Sequence, residues 1–258
     1  MTSLMDLLAL RGGGVISIVG AGGKTSLMER LASEILAGGE TVLVTTTTKI
    51  MMPRGEGRER VLVSRDTGEI LNMAKDLLFP AGRLTAAREY LPEQDKLVGF
   101  SAAEIGELEQ GRLFNWILVE ADGARRLPLK APASHEPVIP PSSRWVIAVV
   151  GLDGIGKPLT EEWVFRSRLF ADLTGLAPGA EITEESVAAA LVREKGILKD
   201  CPLTALRYVF LNKADTEKRR VIGSRIAHLL RARGFRQPGK VIVGALEREA
   251  EPLECYDC

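Results

Sequence analysis

Lys24 closes the run Gly20-Ala21-Gly22-Gly23 and is followed by Thr25 and Ser26. These residue types in this order suit phosphate binding. Glycines let backbone N–H groups turn toward phosphate oxygens, and a helix N-terminus adds partial positive charge. Lys24 would reach the terminal phosphates of a nucleotide, and the Thr25 hydroxyl would hold Mg²⁺. The flanks fit this chemistry. An apolar run through Val15, Ile16, Ile18 and Val19 predicts a buried strand before the glycines. Leu27, Met28, Leu31, Ile35 and Leu36 recur at helical spacing after them. The pattern departs from the full Walker A template at one place: the template's first glycine falls on Ile18, inside the strand, so the loop is compact.

Three further groups could complete a nucleotide site. The run Trp116 to Gly123 (WILVEADG) is an apolar strand ending in acid, as a Walker B strand does. Glu120 and Asp122 repeat at the two-residue period that puts both on one side of a strand. Asp122 would hold Mg²⁺, and Glu120 would orient an attacking water. Asn212-Lys213-Ala214-Asp215 ends a second apolar strand, Tyr208 to Asp215. In P-loop GTPases this N-K-x-D pattern reads guanine: the carboxylate accepts from the base, the lysine stem packs on it and the asparagine tethers the loop. Adenine would leave buried groups unpaired there. Thr45 to Thr48 and Lys49 end a third strand, where Thr47 and Lys49 could meet the γ-phosphate; threonine's strand preference is the competing explanation. His135, in the proline-rich stretch Arg125 to Pro141, is a catalytic or ligand candidate. Cys255 and Cys258 have C-x-x-C spacing, but one pair supplies only two ligands at a terminus expected to fray.

The elements that would position these groups alternate. Strands are predicted near residues 14–20, 41–46, 61–64, 83–88, 96–100, 116–123, 144–150, 208–215 and 241–243. Helices are predicted over 27–37, 67–79, 101–110, 163–173, 184–191 and 217–233, with Ser101 and Glu104 forming a capping box. Such alternation predicts an α/β fold: a three-layer α/β/α sandwich on a mainly parallel sheet, P-loop NTPase-like, with the loop at the carboxyl ends of the strands. Residues 1–258 are read as one such domain, with 123–143 as a candidate inserted loop.

Lysine plus arginine and aspartate plus glutamate number 34 each in 258 residues, so the chain is formally neutral and offers no electrostatic case for nucleic acid or an anionic membrane. The opening MTSLMDLLAL reads as a short amphipathic helix rather than a signal peptide, and no run is long enough to cross a bilayer. Three cysteines do not make a disulfide framework, which points to a reducing, cytoplasmic setting.

The order VISIVGAGGKTSLM, VLVTTTTKI, ILVEADGARRLPLKAP, HEPVIP, GLDGIGKPL, VFR, LNKAD resembles the YqeC-type accessory proteins linked to selenium-dependent molybdenum hydroxylases, over most of the chain from Val15 to Asp215. The resemblance implies a role in maturing a selenium- and molybdenum-containing cofactor. It implies as partners such a hydroxylase or a cofactor-synthesis enzyme. The motif positions it carries over are Gly20 to Ser26, Thr45 to Lys49, Glu120 to Arg126 with Lys130, His135 to Pro137, and Arg166. The motif order is also similar to the metallochaperone GTPases that serve nickel and cobalamin enzymes, without their Cys/His motif near the P-loop. The expected activity is Mg²⁺-dependent hydrolysis of GTP or ATP, with GTP favoured. Two alternatives stand beside it: a nucleotide-gated carrier without significant hydrolysis, and a small-molecule kinase or transferase using Lys49, Arg125, Arg126, Lys130 and His135 on an anionic acceptor.

Overall fold

In the computed structural model, residues 3–53, 60–78, 82–235, 239–247 and 253–257 are described. Along the chain, α1 (Leu4–Leu7) precedes β1 (Gly14–Gly20), α2 (Lys24–Ala37), β2 (Val42–Thr46), β3 (Lys49–Met51), β4 (Arg60–Val63), α3 (Thr67–Leu77), β5 (Arg83–Ala87), β6 (Glu89–Leu91), β7 (Lys96–Val98) and α4 (Ala102–Gln110). The second half comprises β8 (Trp116–Glu120), β9 (Leu129–Lys130), β10 (Ser143–Gly151), β11 (Val164–Phe165), α5 (Ser167–Thr174), α6 (Glu184–Val192), β12 (Leu206–Asn212), α7 (Glu217–Ala232), β13 (Lys240–Val243) and β14 (Glu254–Asp257).

Nine strands form one sheet in the order β14-β13-β12-β10-β1-β8-β2-β5-β4. Its pairings are parallel except β13 with β14. Apolar residues alternate across it, as a sheet covered on both faces requires. Ile16 and Ile18 of β1, Ile147 and Val149 of β10 and Phe210 of β12 face α1 and α2 in one core cluster. On the opposite face, Ile117 and Val119 of β8 pack with Ile70, Ala74, Ile105 and Leu108 of α3 and α4. Val146 and Ala148 of β10 pack there with residues of α5, α6 and α7. The predicted α/β architecture, a large and mainly parallel sheet between helical layers, is therefore observed.

The sheet also explains where a site forms. β1 is central. Strands up to Glu120 (β8, β2, β5, β4) lie on one side of it, and later ones (β10, β12, β13, β14) on the other. The order reverses at β1, and in open α/β sheets a crevice opens at such a switch point, outside the carboxyl ends of the strands. The glycine loop leaves β1 there.

Local signals mostly hold. Ser101 and Glu104 form the expected capping box on α4, and Thr183 and Ser186 form another on α6. Four expectations need correction. The helix expected over Trp163 to Leu173 begins only at Ser167, because Val164 and Phe165 pair with β9 and Arg166 is left-handed, with φ 63°. Residues 89–91, not read as a strand, form β6 and join β3 and β7 in a small antiparallel sheet. The chain end does not simply fray: β14 pairs with β13 as an antiparallel edge, with Cys255 opposite Ile242. Glu120 is the last residue of β8, so Asp122 lies beyond the strand. Cys258, residues 54–59 of the expected polar loop and Phe79 of the expected helix lie outside the described residues. Among the described residues no helix is long and apolar enough to cross a membrane.

Candidate functional site

Gly20 ends β1 and Lys24 begins α2, so three residues make the whole connection. The turn runs through positive φ at Gly20 (92°), the end of β1, and at Gly22 (79°) and Gly23 (131°). Close approach adds a second requirement. A Cβ on Gly22 would stand 2.3 Å from the Gly151 nitrogen, and one on Gly23 would stand 2.1 Å from Asn212 Nδ2. The loop is therefore pressed against the ends of β10 and β12, and only glycine fits.

Its amides divide into two sets. Gly20 N–H donates to both Asp122 oxygens (3.1 and 3.0 Å). Ala21 N–H donates to Val149 O and Gly22 N–H to Leu127 O (2.9 and 3.0 Å). The amides from Gly23 to Ser26 have no protein acceptor among the described residues, and the N-cap, Gly23, supplies no side-chain bond. The first turn of a helix leaves such donors open. The donors left open here are thus the four amides at the start of α2.

Lys24 turns inward and is only 5% exposed. Its ammonium donates to Gly20 O at 2.8 Å and pairs with Asp122 Oδ1 at 3.1 Å and, more loosely, with Glu120 Oε1 at 3.7 Å. Asp122 Oδ2 pairs in turn with Lys130 Nζ at 2.9 Å. Lys130 also pairs with Glu136 Oε2 at 2.8 Å and donates to Gly123 O at 2.7 Å. Arg166 grips Glu136 through both terminal nitrogens. The result is a line of alternating charge, Glu120, Lys24, Asp122, Lys130, Glu136, Arg166, in which every interior charge stands between two opposite ones. Such pairing offsets the cost of removing the charges from water.

Hydrogen-bond capacity distinguishes the members. An ammonium has three donors. Lys130, fully buried, donates to Glu136 and Gly123 O and pairs with Asp122, so every side of its ammonium is occupied. Lys24 donates to Gly20 O and pairs with Asp122, and Glu120 lies beyond hydrogen-bond reach of it. Lys24 therefore retains donor capacity, and Glu120, 15% exposed, retains open lone pairs. Burial alone would lower the Lys24 ammonium, but Asp122 and Glu120 outweigh it and hold the group above its ordinary value. Burial pushes the Glu120 carboxyl upward against the pull of Lys24. Burial would also raise Glu136, yet the Arg166 and Lys130 bonds prevail and bring it to about 2.

The second expected motif meets the first. Asn212 Nδ2 donates to Gly22 O at 2.8 Å, and Asn212 Oδ1 accepts from Leu246 N–H at 3.1 Å. Asn212 thus ties the glycine loop to the segment after β13. Lys213, left-handed at φ 64°, pairs with Asp153 at 2.7 Å. Asp215 pairs with Arg219 on the first turn of α7.

Other expected residues lie differently. Thr47 donates its hydroxyl to Val138 O at 2.7 Å, and Thr46 donates to Glu120 O. Both hydroxyl hydrogens thereby fasten the end of β2 to its neighbours. Lys49 is exposed on β3, in the small sheet. Thr25 is exposed at the start of α2 and Ser26 is half-buried. His135 is exposed; its neighbour Glu136 is the residue that enters the charge line. Among the described residues no group of three or more His, Cys, Asp or Glu is arranged to hold a metal ion. Of the residues expected to hold Mg²⁺, Asp122 has both oxygens engaged by Gly20 N–H, Lys24 and Lys130, whereas the Thr25 hydroxyl and the Glu120 carboxylate form no hydrogen bond among the described residues.

The charge line adds three residues to those singled out as catalytic from sequence: Lys130, Glu136 and Arg166. A usable signal was present at Lys130, a lone cation among Leu127, Pro128, Leu129, Ala131 and Pro132. A charge in such apolar company is buried and therefore paired.

The YqeC protein family profile matches residues 16–168, a span holding the glycine loop and all six members of the charge line but not Asn212 to Asp215. The chain is 39% identical over 215 residues to the uncharacterized protein YqeC of Escherichia coli (strain K12), covering 81% of this chain and 80% of that one. With a match over more than half its length and a relative this similar, the chain belongs to the YqeC family.

Proposed function

We propose that this protein is a Mg²⁺-dependent nucleotide-binding accessory factor, with GTP favoured over ATP, acting in the maturation of selenium-dependent molybdenum hydroxylases or their cofactor. The observation that carries the nucleotide reading is Lys24: a lysine at the first position of a helix, after a positive-φ glycine turn, 3.1 Å from the carboxylate that follows the neighbouring strand. The maturation role rests on the resemblance of the motifs to the YqeC-type accessory proteins.

A nucleoside triphosphate would supply the transferable phosphoryl group, and Mg²⁺ would neutralise its charge. The amides of Gly23, Lys24, Thr25 and Ser26 would hold phosphate oxygens. Lys24 would offset phosphate charge, which is the main task in phosphoryl transfer. Asp122 fixes the position of Lys24 and, with the Thr25 hydroxyl, is the candidate holder of the cation. Glu120, the carboxylate with open lone pairs, is the candidate to orient water. Asn212 couples this end to the Lys213–Asp215 loop, where a base would be read.

A second reading, a nucleotide-gated carrier with little hydrolysis, is favoured by the saturation of Asp122, whose two oxygens already serve Gly20 N–H, Lys24 and Lys130.

Titration of the purified protein with GTP and ATP, with and without Mg²⁺, tests the proposal. GTP should bind more tightly than ATP, Asp215→Ala should abolish that difference, and Lys24→Ala should abolish binding. Because Lys24→Ala strands two carboxylates, Thr25→Ala, at an exposed position, provides the check in a folded protein and should lose the Mg²⁺ dependence. Absence of binding by either nucleotide would overturn the reading, and phosphate release over time separates hydrolase from carrier.

A further inference from the structure

Arg125 and Arg126 follow Asp122 after Gly123 and Ala124, and both have a left-handed backbone, φ 49° and 62°. Arg166, across from them, has φ 63°. L-residues with a Cβ disfavour this region, and a turn needing only the geometry would carry Gly, Asn or Asp. The turn thus presents two neighbouring guanidinium groups at positions where glycine would be less strained.

The turn is held against the glycine loop. Leu127 N–H closes it on Ala124 O, and Leu127 O accepts from Gly22 N–H, both at 3.0 Å. Lys130 holds Gly123 O at the other end. The Arg125 and Arg166 guanidinium carbons lie 5.0 and 4.3 Å from the centre of the Phe165 ring. Arg166 is neutralised by Glu136, and the charge line as a whole sums to zero. Arg125 and Arg126 stand outside it, exposed, and among the described residues neither forms an ion pair. Glu161, the carboxylate that senses Arg125, is already engaged by the Ser167 amide and hydroxyl at 2.8 and 2.9 Å.

We propose that the Arg125–Arg126 turn, backed by Phe165 and Arg166, binds a second anion: a phosphorylated small molecule held beside the nucleotide phosphates. Guanidinium groups suit phosphate because their paired donors match its oxygens. The location beside a nucleotide rests on the function proposed above; the anion site itself does not.

The test is calorimetric titration of the full chain with inorganic pyrophosphate, free and preloaded with Mg²⁺ and a non-hydrolysable GTP analogue. Loaded wild type should bind pyrophosphate at one site. Arg125→Gly with Arg126→Gly should weaken that site at least tenfold while leaving the unfolding midpoint unchanged or raised, because glycine fits φ > 0. Arg125→Lys with Arg126→Lys keeps the charge without the fork and should fall between. No pyrophosphate binding by the loaded protein, or equal binding by the glycine variant, overturns the proposal, as does a lowered midpoint with binding intact. If the analogue does not bind but free protein still takes pyrophosphate in an Arg125- and Arg126-dependent way, the nucleotide reading fails and this one stands.

Discussion

At the tip of β8 the carboxylate of Asp122 is 1% exposed and lies between two buried lysines. At the tip of β12 the carboxylate of Asp215 is 31% exposed and pairs with an arginine one helical turn on. Both residues lie just beyond apolar strands of the same sheet, and both are candidate nucleotide contacts, but the surrounding dielectric differs. Around Asp122 the ion pairs act through protein, and breaking one strands a charge. Around Asp215 water screens the pair, and its loss costs little. The proposed phosphate end is therefore held by buried pairs that are costly to break, whereas the proposed base end can re-pair at small cost. Asn212 is the link: its side chain bridges Gly22 and Leu246.

The sharpest way to break this comparison is Lys130→Met. It removes a fully buried ammonium from between Asp122 and Glu136 and should cost about 3–5 kcal/mol of unfolding free energy in urea denaturation. A cost under ~1 kcal/mol would mean the charge line does not stabilise the phosphate end.

Acid should act on the same line through Glu136. Its folded carboxyl, at about 2, lies below its ordinary unfolded value of ~4.3, so the folded state binds fewer protons. That contribution is fully present above the unfolded value and is lost as pH falls toward 2. Denaturation between pH 7 and 2 should show this loss, and Glu136→Gln should flatten that part of the profile; an unchanged profile would remove Glu136 from the account.

Asn212→Ala should come next, at about 1–3 kcal/mol, because Gly22 O and Leu246 N–H both lose their partner. It should also weaken nucleotide binding, since the loop loses its tether; a stability loss with unaltered nucleotide affinity would separate the two ends.

The smallest effect is expected at the base end. Lys213→Ala breaks a pair with Asp153 whose side chains are 36% and 22% exposed and should cost about 0–1 kcal/mol. A loss as large as that of Lys130→Met would erase the distinction between the two ends.

Much of this was legible in the chain. The strand before Gly20, the glycine turn, the helix after it and the acidic end of WILVE follow from local patterns, because period and punctuation are local properties. The capping box at Ser101 and Glu104 is a three-residue interaction, readable for the same reason. Arg166 was not readable as a helix start, because its conformation depends on β11 pairing with β9, a partner far away in sequence.

The sequence by itself determined that a glycine turn between a strand and a helix and an acidic strand tip exist, and that strands and helices alternate around them. Only the tertiary structure decided which charges serve. Lys130, Glu136 and Arg166 come from an irregular, proline-rich stretch and from the turn before α5, and no periodicity places them. They become one line with Lys24 and Asp122 because the parallel sheet brings the ends of β1 and β8 side by side and the loop after β8 folds back over them. Burial then makes each unpaired charge costly, so the partners are fixed by a dielectric that exists only in the folded molecule.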